Sequence, residues 1–242
     1  MTEPYIVALF FSPGKPDNQH TNTMAENSWT DSQRFDSKAS EWDANAVRAA
    51  LADSVSRAIT AHIPVNRPEN ALEFGCGTGL VTLRVAPRCG MLTAVDTSRE
   101  MLRILDEKIV AGNIPNVTTK MLDMTGDGAA GALEGSFDFV FSSMTLHHIP
   151  DTASFLSILN RHMVPGGTLA IADLDAEDGL FHDDANDKVH PGFERNTLRT
   201  QLEAAGFASV SFITVHVVEK RNREGRHSFY PVFLVTALKP KL

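Results

Sequence analysis

The sequence predicts a doubly wound α/β fold: a seven-stranded, mostly parallel sheet closed by an antiparallel hairpin. Three observations carry this. Short apolar runs alternate with amphipathic stretches between residues 71 and 174, the βαβα pattern of a parallel sheet covered on both faces. The first run, Ala71-Leu72-Glu73-Phe74, enters a turn in which Gly75, Gly77 and Gly79 alternate, and an apolar helical pattern follows from Leu80. Strand, glycine turn and helix bring bare backbone up to a ligand, because glycine permits φ > 0 and lacks the Cβ that would hold the ligand away. Last, two apolar runs at 208–218 and 227–237 are joined by the charged turn EKRNREG, which reads as a hairpin.

Each element has a local reason. Residues 34–62 place Phe35, Trp42, Val47, Leu51, Val55 and Ile59 at roughly three-to-four spacing, and Pro64 and Pro68 end the segment. This predicts one amphipathic helix starting near Trp42, with Asp43 as its N-cap. Leu80–Pro87 is the first crossover helix and Met91–Val95 the second strand. Ser98 caps a helix over Arg99–Ala111, which Gly112-Asn113 stops. Val117–Leu122 and Phe137–Ser142 are the third and fourth strands, separated by a glycine-rich loop from Gly126 to Gly135. Asp151 caps a helix through Arg161, Pro165-Gly166-Gly167 is a turn, and Thr168–Leu174 is the fifth strand. A helix over Asn196–Ala205 ends at Gly206, ahead of the closing hairpin.

Composition bounds the function. A 43% hydrophobic chain of 242 residues can bury a substantial core. A net charge of -8 argues against nucleic acid or an anionic membrane as partner. Two cysteines, Cys76 and Cys89, are too few for a disulfide framework or a C-x-x-C zinc site and read as free thiols in a reducing compartment. No apolar run reaches the ~20 residues of a membrane span. The patch Tyr5–Phe11 has no basic flank, and the first arginine is Arg34, which fits neither a secretory signal nor a transit peptide. The expected location is therefore cytoplasmic. Residues 1–33 are expected to be a disordered extension, polar over 12–33, with the domain occupying 34–242. Met24 reads as an alternative start, which would make residues 1–23 dispensable.

The ligand is read from spacing. A dinucleotide fingerprint is G-x-G-x-x-G, but Leu80 stands where its third glycine would fall. Glu73 lies two residues before the first glycine, and Asp96 ends the second strand, where an acid can accept ribose hydroxyls. This set, continued in AVDTSREML, LDMT, FDFVFSSMTLHHI and PGGTLAIADLD, resembles the class I S-adenosylmethionine (SAM) dependent methyltransferases. Over about Phe35 to Leu238 the chain is similar to the small-molecule group of the ubiquinone/menaquinone-biosynthesis type. The Asn-Pro-Pro-Tyr of amino-methylating enzymes and the cysteines of arsenic methyltransferases are absent. The resemblance implies SAM as cofactor and S-adenosylhomocysteine (SAH) as product. It places Gly75, Cys76, Gly77 and Gly79 against the methionine part, Glu73 at the turn or the ammonium group, and Asp96 and Thr97 at the ribose. Asp123 falls to the adenine amino group, Met101 and Met124 to its apolar walls, and Ser142 and Ser143 to the amino-acid end.

Methyl transfer from a sulfonium chiefly requires a positioned nucleophile and excluded water, and a base only if the nucleophile must lose a proton. His147 and His148 follow the fourth strand and are the catalytic candidates: a base, a substrate-orienting donor, or a loop-shaping structural pair. The loop Asp173–Gly192 carries seven acids with His182 and His190. It reads as a lid with Phe181, His182 and His190 facing in, as a plain surface loop, or as a divalent metal site, for which no spacing argues. Trp42 is either a core anchor or part of a cover over the pocket mouth. The acceptor is expected to be a small molecule, methylated at O, S, N or C by a monomer or homodimer. A silent SAM- or SAH-binding partner or regulator is the alternative.

Overall fold

The computed structural model describes residues 32–63, 68–125, 133, 135–185 and 187–241, and in it seven strands form one sheet. They are β1 (Asn70–Phe74), β2 (Met91–Asp96), β3 (Val117–Met121), β4 (Phe137–Ser143), β5 (Met163–Leu174), β6 (Ala208–Arg221) and β7 (His227–Leu238). The order is β3-β2-β1-β4-β5-β7-β6. The first five are parallel, and β7 enters antiparallel between β5 and β6. Chain direction across the sheet switches between β1 and β4, where open α/β sheets hold their ligands.

Alternation sorts the side chains. Ala71 of β1, Phe139 and Phe141 of β4, Ala170 and Ala172 of β5 and Leu234 of β7 face one buried cluster; Leu72, Phe74, Val140, Leu169, Ile171 and Phe233 face the other. Both faces are apolar, so the central strands read as near-continuous hydrophobic runs. On the first face lie α1 (Ala46–Ala61), the short α2 (Thr82–Val85) and α3 (Arg99–Gly112); on the second lie α4 (Thr152–His162) and α5 (Arg195–Ala204). Ser98 caps α3 by accepting from Met101 N–H, Asn113 stops it at φ +50°, and Asp151 caps α4 by accepting from Ser154 N–H. No described helix is long and apolar enough to cross a membrane.

The structure corrects several local readings. The 34–62 segment is three pieces: a helix at 32–38, a 3-10 stretch at Ala39–Ala44, and α1. The cap of α1 is Asn45, whose side chain accepts from Val47 and Arg48 N–H. Asp43 is drawn away instead to Thr78 Oγ1 (2.5 Å) and Lys108 Nζ. Pro165-Gly166-Gly167 lies within β5 as a bulge, because Phe137 pairs with Met163 while Phe139 pairs with Thr168. The first crossover is a single α-turn followed by a 3-10 turn, Ala86–Arg88, and both hairpin strands run longer than expected. Most of the 126–135 loop, and residues 1–31 of the expected extension, lie outside the described residues.

Candidate functional site

The site is built where β1 and β4 diverge. Gly75, Gly77 and Gly79 all have positive φ (+66°, +54° and +85°). Two of them face quite different surroundings. A Cβ on Gly75 would sit 2.1 Å from Thr145 Oγ1, so protein packing forbids a side chain there. A Cβ on Gly77 would meet nothing within 4 Å, so that residue turns toward open space. Asp96 holds the turn: its Oδ2 accepts Gly77 N–H at 2.7 Å and its Oδ1 accepts Ser98 N–H at 2.8 Å. Burial raises the Asp96 pKa, against the pull of the N–H groups of Ser98, Gly77 and Thr97. Cys76 N–H donates to Val95 O (3.1 Å), and burial drives its thiol pKa well up.

Glu73 is buried on a face otherwise lined by apolar groups. Burial pushes its carboxyl up to about 8, partly opposed by the Thr82 hydroxyl and reinforced by Asp96. Neither Glu73 Oε2 nor Thr82 Oγ1 has a partner meeting hydrogen-bond geometry. Met101 and Met124 are buried. Asp123 accepts from Thr125 N–H (2.8 Å) and Thr125 Oγ1 (2.6 Å), which fixes its own loop. Ser142 is fully buried and donates to Phe74 O (2.8 Å), tying β4 to β1. Ser143 is half-buried, and its carbonyl accepts from Thr145 Oγ1 at 3.2 Å.

A second set of groups lies just beyond Thr145. His147 Nδ1 is 2.7 Å from Asp173 Oδ1, and its backbone N–H donates to Asp173 Oδ2 at 3.1 Å. Both side chains are buried. The His147 ring packs against those of His148 and His182, at 4.3 and 5.0 Å between centroids. Phe35 meets His148 edge-on at 5.3 Å, and Phe181 meets His182 at 5.2 Å. Burial holds the His148 pKa well below the usual imidazole range and lowers that of His182 to about 4, with the neighbouring His147 adding to both shifts. His190 stands apart from this cluster. Its Nε2–H donates to Ile149 O (2.9 Å) and its N–H to His147 O (2.8 Å), so it clamps the segment after β4.

Two covers close over these groups. Residues 32–43 reach forward: Ser32 Oγ donates to Thr97 O, Asp36 Oδ1 accepts from Ser98 Oγ (2.6 Å) and Glu100 N–H (3.0 Å), and Asp43 meets Thr78. Trp42 is half-buried there, with Phe35 at its edge and the Arg48 guanidinium 3.9 Å above its ring. The 175–193 loop is anchored at both ends by the Asp175–Phe193 bridge, and at its tip Lys220 Nζ donates to Phe181 O and Asp183. Arg34 joins the covers through Asp184 and Asp187. Thr145, Asp173, Phe35 and Asp36 were not legible as site residues. Only Asp173 carries a sequence signal, a lone charge inside the apolar run TLAIADL, like Glu73 in ALEF.

A family model described as a methyltransferase domain matches residues 44–211. An uncharacterised methyltransferase of Schizosaccharomyces pombe is 30% identical over 155 residues, 59% of this chain and 54% of that one. A trans-aconitate 2-methyltransferase of Deinococcus radiodurans is 33% identical over 118 residues, 48% of this chain and 42% of that one. The chain thus spans about half the length of these curated relatives. Among solved structures, the N-methyltransferase NodS of Bradyrhizobium japonicum, in complex with SAH, has the same fold with a TM-score of 0.64 at 17% identity, over 89% of this chain and 100% of that one.

Proposed function

The chain belongs to the methyltransferase domain family, and from that premise we propose that it transfers the methyl group of SAM to a small organic molecule, leaving SAH. The observation that carries this reading is the glycine turn at the switch point. Gly77 faces open space with its N–H fixed by Asp96, and a buried, unpartnered Glu73 oxygen lies behind the turn. Such a site suits a nucleoside carrying a cationic amino-acid tail.

In this reading the backbone of Gly75, Cys76, Gly77 and Gly79 receives the methionine part, and Glu73 answers its ammonium group. Asp96, with Thr97, takes the ribose on the oxygen lone pairs that Gly77 and Ser98 leave open. Asp123 takes the adenine amino group between Met101 and Met124. Ser142 acts by holding the ends of β1 and β4 together, and Ser143 lines the amino-acid end. When bound, SAM supplies a methyl group on a sulfonium with a good leaving group. The protein's share is to orient the acceptor and keep water out, which suits the two covers and the Phe35, Trp42 and Phe181 rings. His147 and His148 border the acceptor, with His182; His190 sets the shape of their segment. The protein works in a reducing, cytoplasmic setting as a monomer or homodimer, in keeping with two buried free thiols.

Calorimetric titration with SAH tests the reading. Binding of SAH with none of NADH is expected. NADH binding without SAH binding would replace methyl transfer with hydride transfer.

A further inference from the structure

The histidine cluster carries more than a border. His148 Nδ1 and His182 Nε2 are buried without a hydrogen-bond partner. Leaving such a nitrogen unmatched forfeits its hydration with nothing in return, so two beside each other call for a bound group that matches them. The third ring is polarised. A carboxylate can only accept, so the 2.7 Å contact to Asp173 puts a proton on His147 Nδ1, and in the tautomer carrying only that proton Nε2 holds the lone pair. Nε2 has no hydrogen bond to any described residue.

The chemistry of the missing group follows from what surrounds it. Among the described residues the cations near the cluster are turned elsewhere: Lys220 serves Phe181 O and Asp183, Arg34 serves Asp184 and Asp187, and Lys38, whose charge also lowers the His148 pKa, is exposed to solvent. The imidazoles of His148 and His182 are held neutral by burial. Neutral donors and acceptors without a positive charge suit an uncharged protic group better than a carboxylate or phosphate. Among the described residues no set of three or more His, Cys, Asp or Glu is arranged to hold a metal ion, so a cation does not account for the bare nitrogens. The Phe35 and Phe181 rings, each edge-to-face with a histidine of the cluster, give it aromatic sides that suit a ring.

A base matters to some nucleophiles more than others. A neutral amine can attack first and shed its proton afterwards. A thiol, with a pKa near ~8.5, supplies roughly a few per cent of thiolate at pH 7 by itself, and that thiolate is strongly nucleophilic. A ring hydroxyl, near ~10, needs its proton taken as it reacts. We propose that the acceptor is a hydroxyl on a small planar ring, held by His148 and His182, and that His147 is its general base with Asp173 as the positioning residue. The proposal rests on the methyl-transfer reading above. In the step the O–H bond breaks and its proton passes to His147 Nε2. The oxygen's electron pair forms the new C–O bond to the methyl carbon, and the C–S pair stays on sulfur as a neutral thioether. The proton then leaves the imidazolium for water.

The test uses the full chain saturated with SAH, labelled with ¹⁵N-histidine, and four probes of one shape: phenol, thiophenol, aniline and benzoate, with anisole as the proton-free control. The expected results are a His147 ring protonated at Nδ1, and phenol shifting the His148 and His182 nitrogens at a concentration at least tenfold below anisole and below the other three. A His147 proton on Nε2, or preferential binding of benzoate, aniline or thiophenol, would overturn the hydroxyl assignment. In Asp173→Asn, SAH affinity should stay within about twofold while the Nδ1-protonated form loses its dominance; an unchanged tautomer would remove Asp173 from its role. The wild-type tautomer is read without any variant, so a poorly folded Asp173→Asn chain does not blunt the test. Failure to bind SAH at all would instead sink the underlying methyl-transfer reading.

Discussion

Around the glycine turn most polar groups already have partners in the protein, whereas around the three histidines two ring nitrogens have none. Asp96 is bonded on both oxygens, Asp123 holds its own loop, Ser142 closes on Phe74, and the Thr97 carbonyl takes Ser32. Glu73 Oε2 and Thr82 Oγ1 are the exceptions on that side. The glycine-turn end is thus a cradle formed by backbone and helix caps. The other end leaves its hydrogen-bonding capacity open, and its shape depends on covers that come from distant parts of the chain. A cradle of the first kind serves one ligand across many proteins. An open cluster of the second kind is where one protein of the family can differ from the next.

The sharpest way to break this contrast is within the turn itself. Gly75→Ala should destabilise the fold by about 4 kcal/mol or more, because Thr145 and a φ of +66° both oppose a side chain. Gly77→Ala should lose only about 1–2 kcal/mol, from its φ alone, yet abolish SAH binding. Denaturant melts and calorimetry on the pair decide; equal stability losses would mean that the two glycines serve one purpose.

The Glu73 prediction concerns pH. The folded chain keeps a proton on Glu73 up to about 8, while the unfolded chain releases it near 4.5. The folded state therefore binds more protons within that window, and stability falls as pH rises through it, by on the order of 5 kcal/mol in the apo protein. Glu73→Gln should flatten that slope, and a slope that survives the substitution would clear Glu73 as its source. Next in size, Asp96→Ala should weaken SAH binding by roughly 1.5–3 kcal/mol and loosen the turn, since it removes two charge-assisted bonds to backbone N–H; undiminished affinity by calorimetry would break the link between Asp96 and the ribose.

The smallest effect belongs to the open end. His182→Phe should stabilise the apo chain by about 1 kcal/mol near pH 7, because it deletes a buried, unpartnered nitrogen. The sign with pH is opposite to that of Glu73. His182 stays neutral down to about 4 when folded but takes a proton near 6.5 when unfolded, so stability is lost as pH falls through that range. The variant should lose less over the same range. Destabilisation by His182→Phe in thermal melts would mean that the nitrogen has a partner after all.

The same contrast decides what the sequence could tell. The succession of strands along the chain, the closing hairpin, the glycine turn and the Ser98 and Asp151 caps depend on near neighbours, and they were legible. In WDANAVR, by contrast, Asp43 and Asn45 are equally good caps by local rules, and the choice falls to Thr78 and Lys108, 35 and 65 residues away. Asp173 read as the first acid of a loop, because nothing near it in sequence announces a histidine 26 residues back. His190 read as facing inward for the converse reason: its carbonyl partner at Ile149 is 41 residues distant. Pro165-Gly166-Gly167 has the composition of a turn, but its neighbours in the sheet absorb it as a bulge.

The forward reach of residues 32–43 has a consequence for the order of assembly. Ser32, Asp36 and Asp43 are made first, yet their partners at Thr78, Thr97, Ser98 and Lys108 lie 35 to 65 residues later, and those of Arg34 lie 150 or more residues on. During synthesis this segment must wait for the first half of the sheet, then for the loop beyond β5, before it can dock. Residues 32–43 are thus held by partners that the rest of the chain has to supply first.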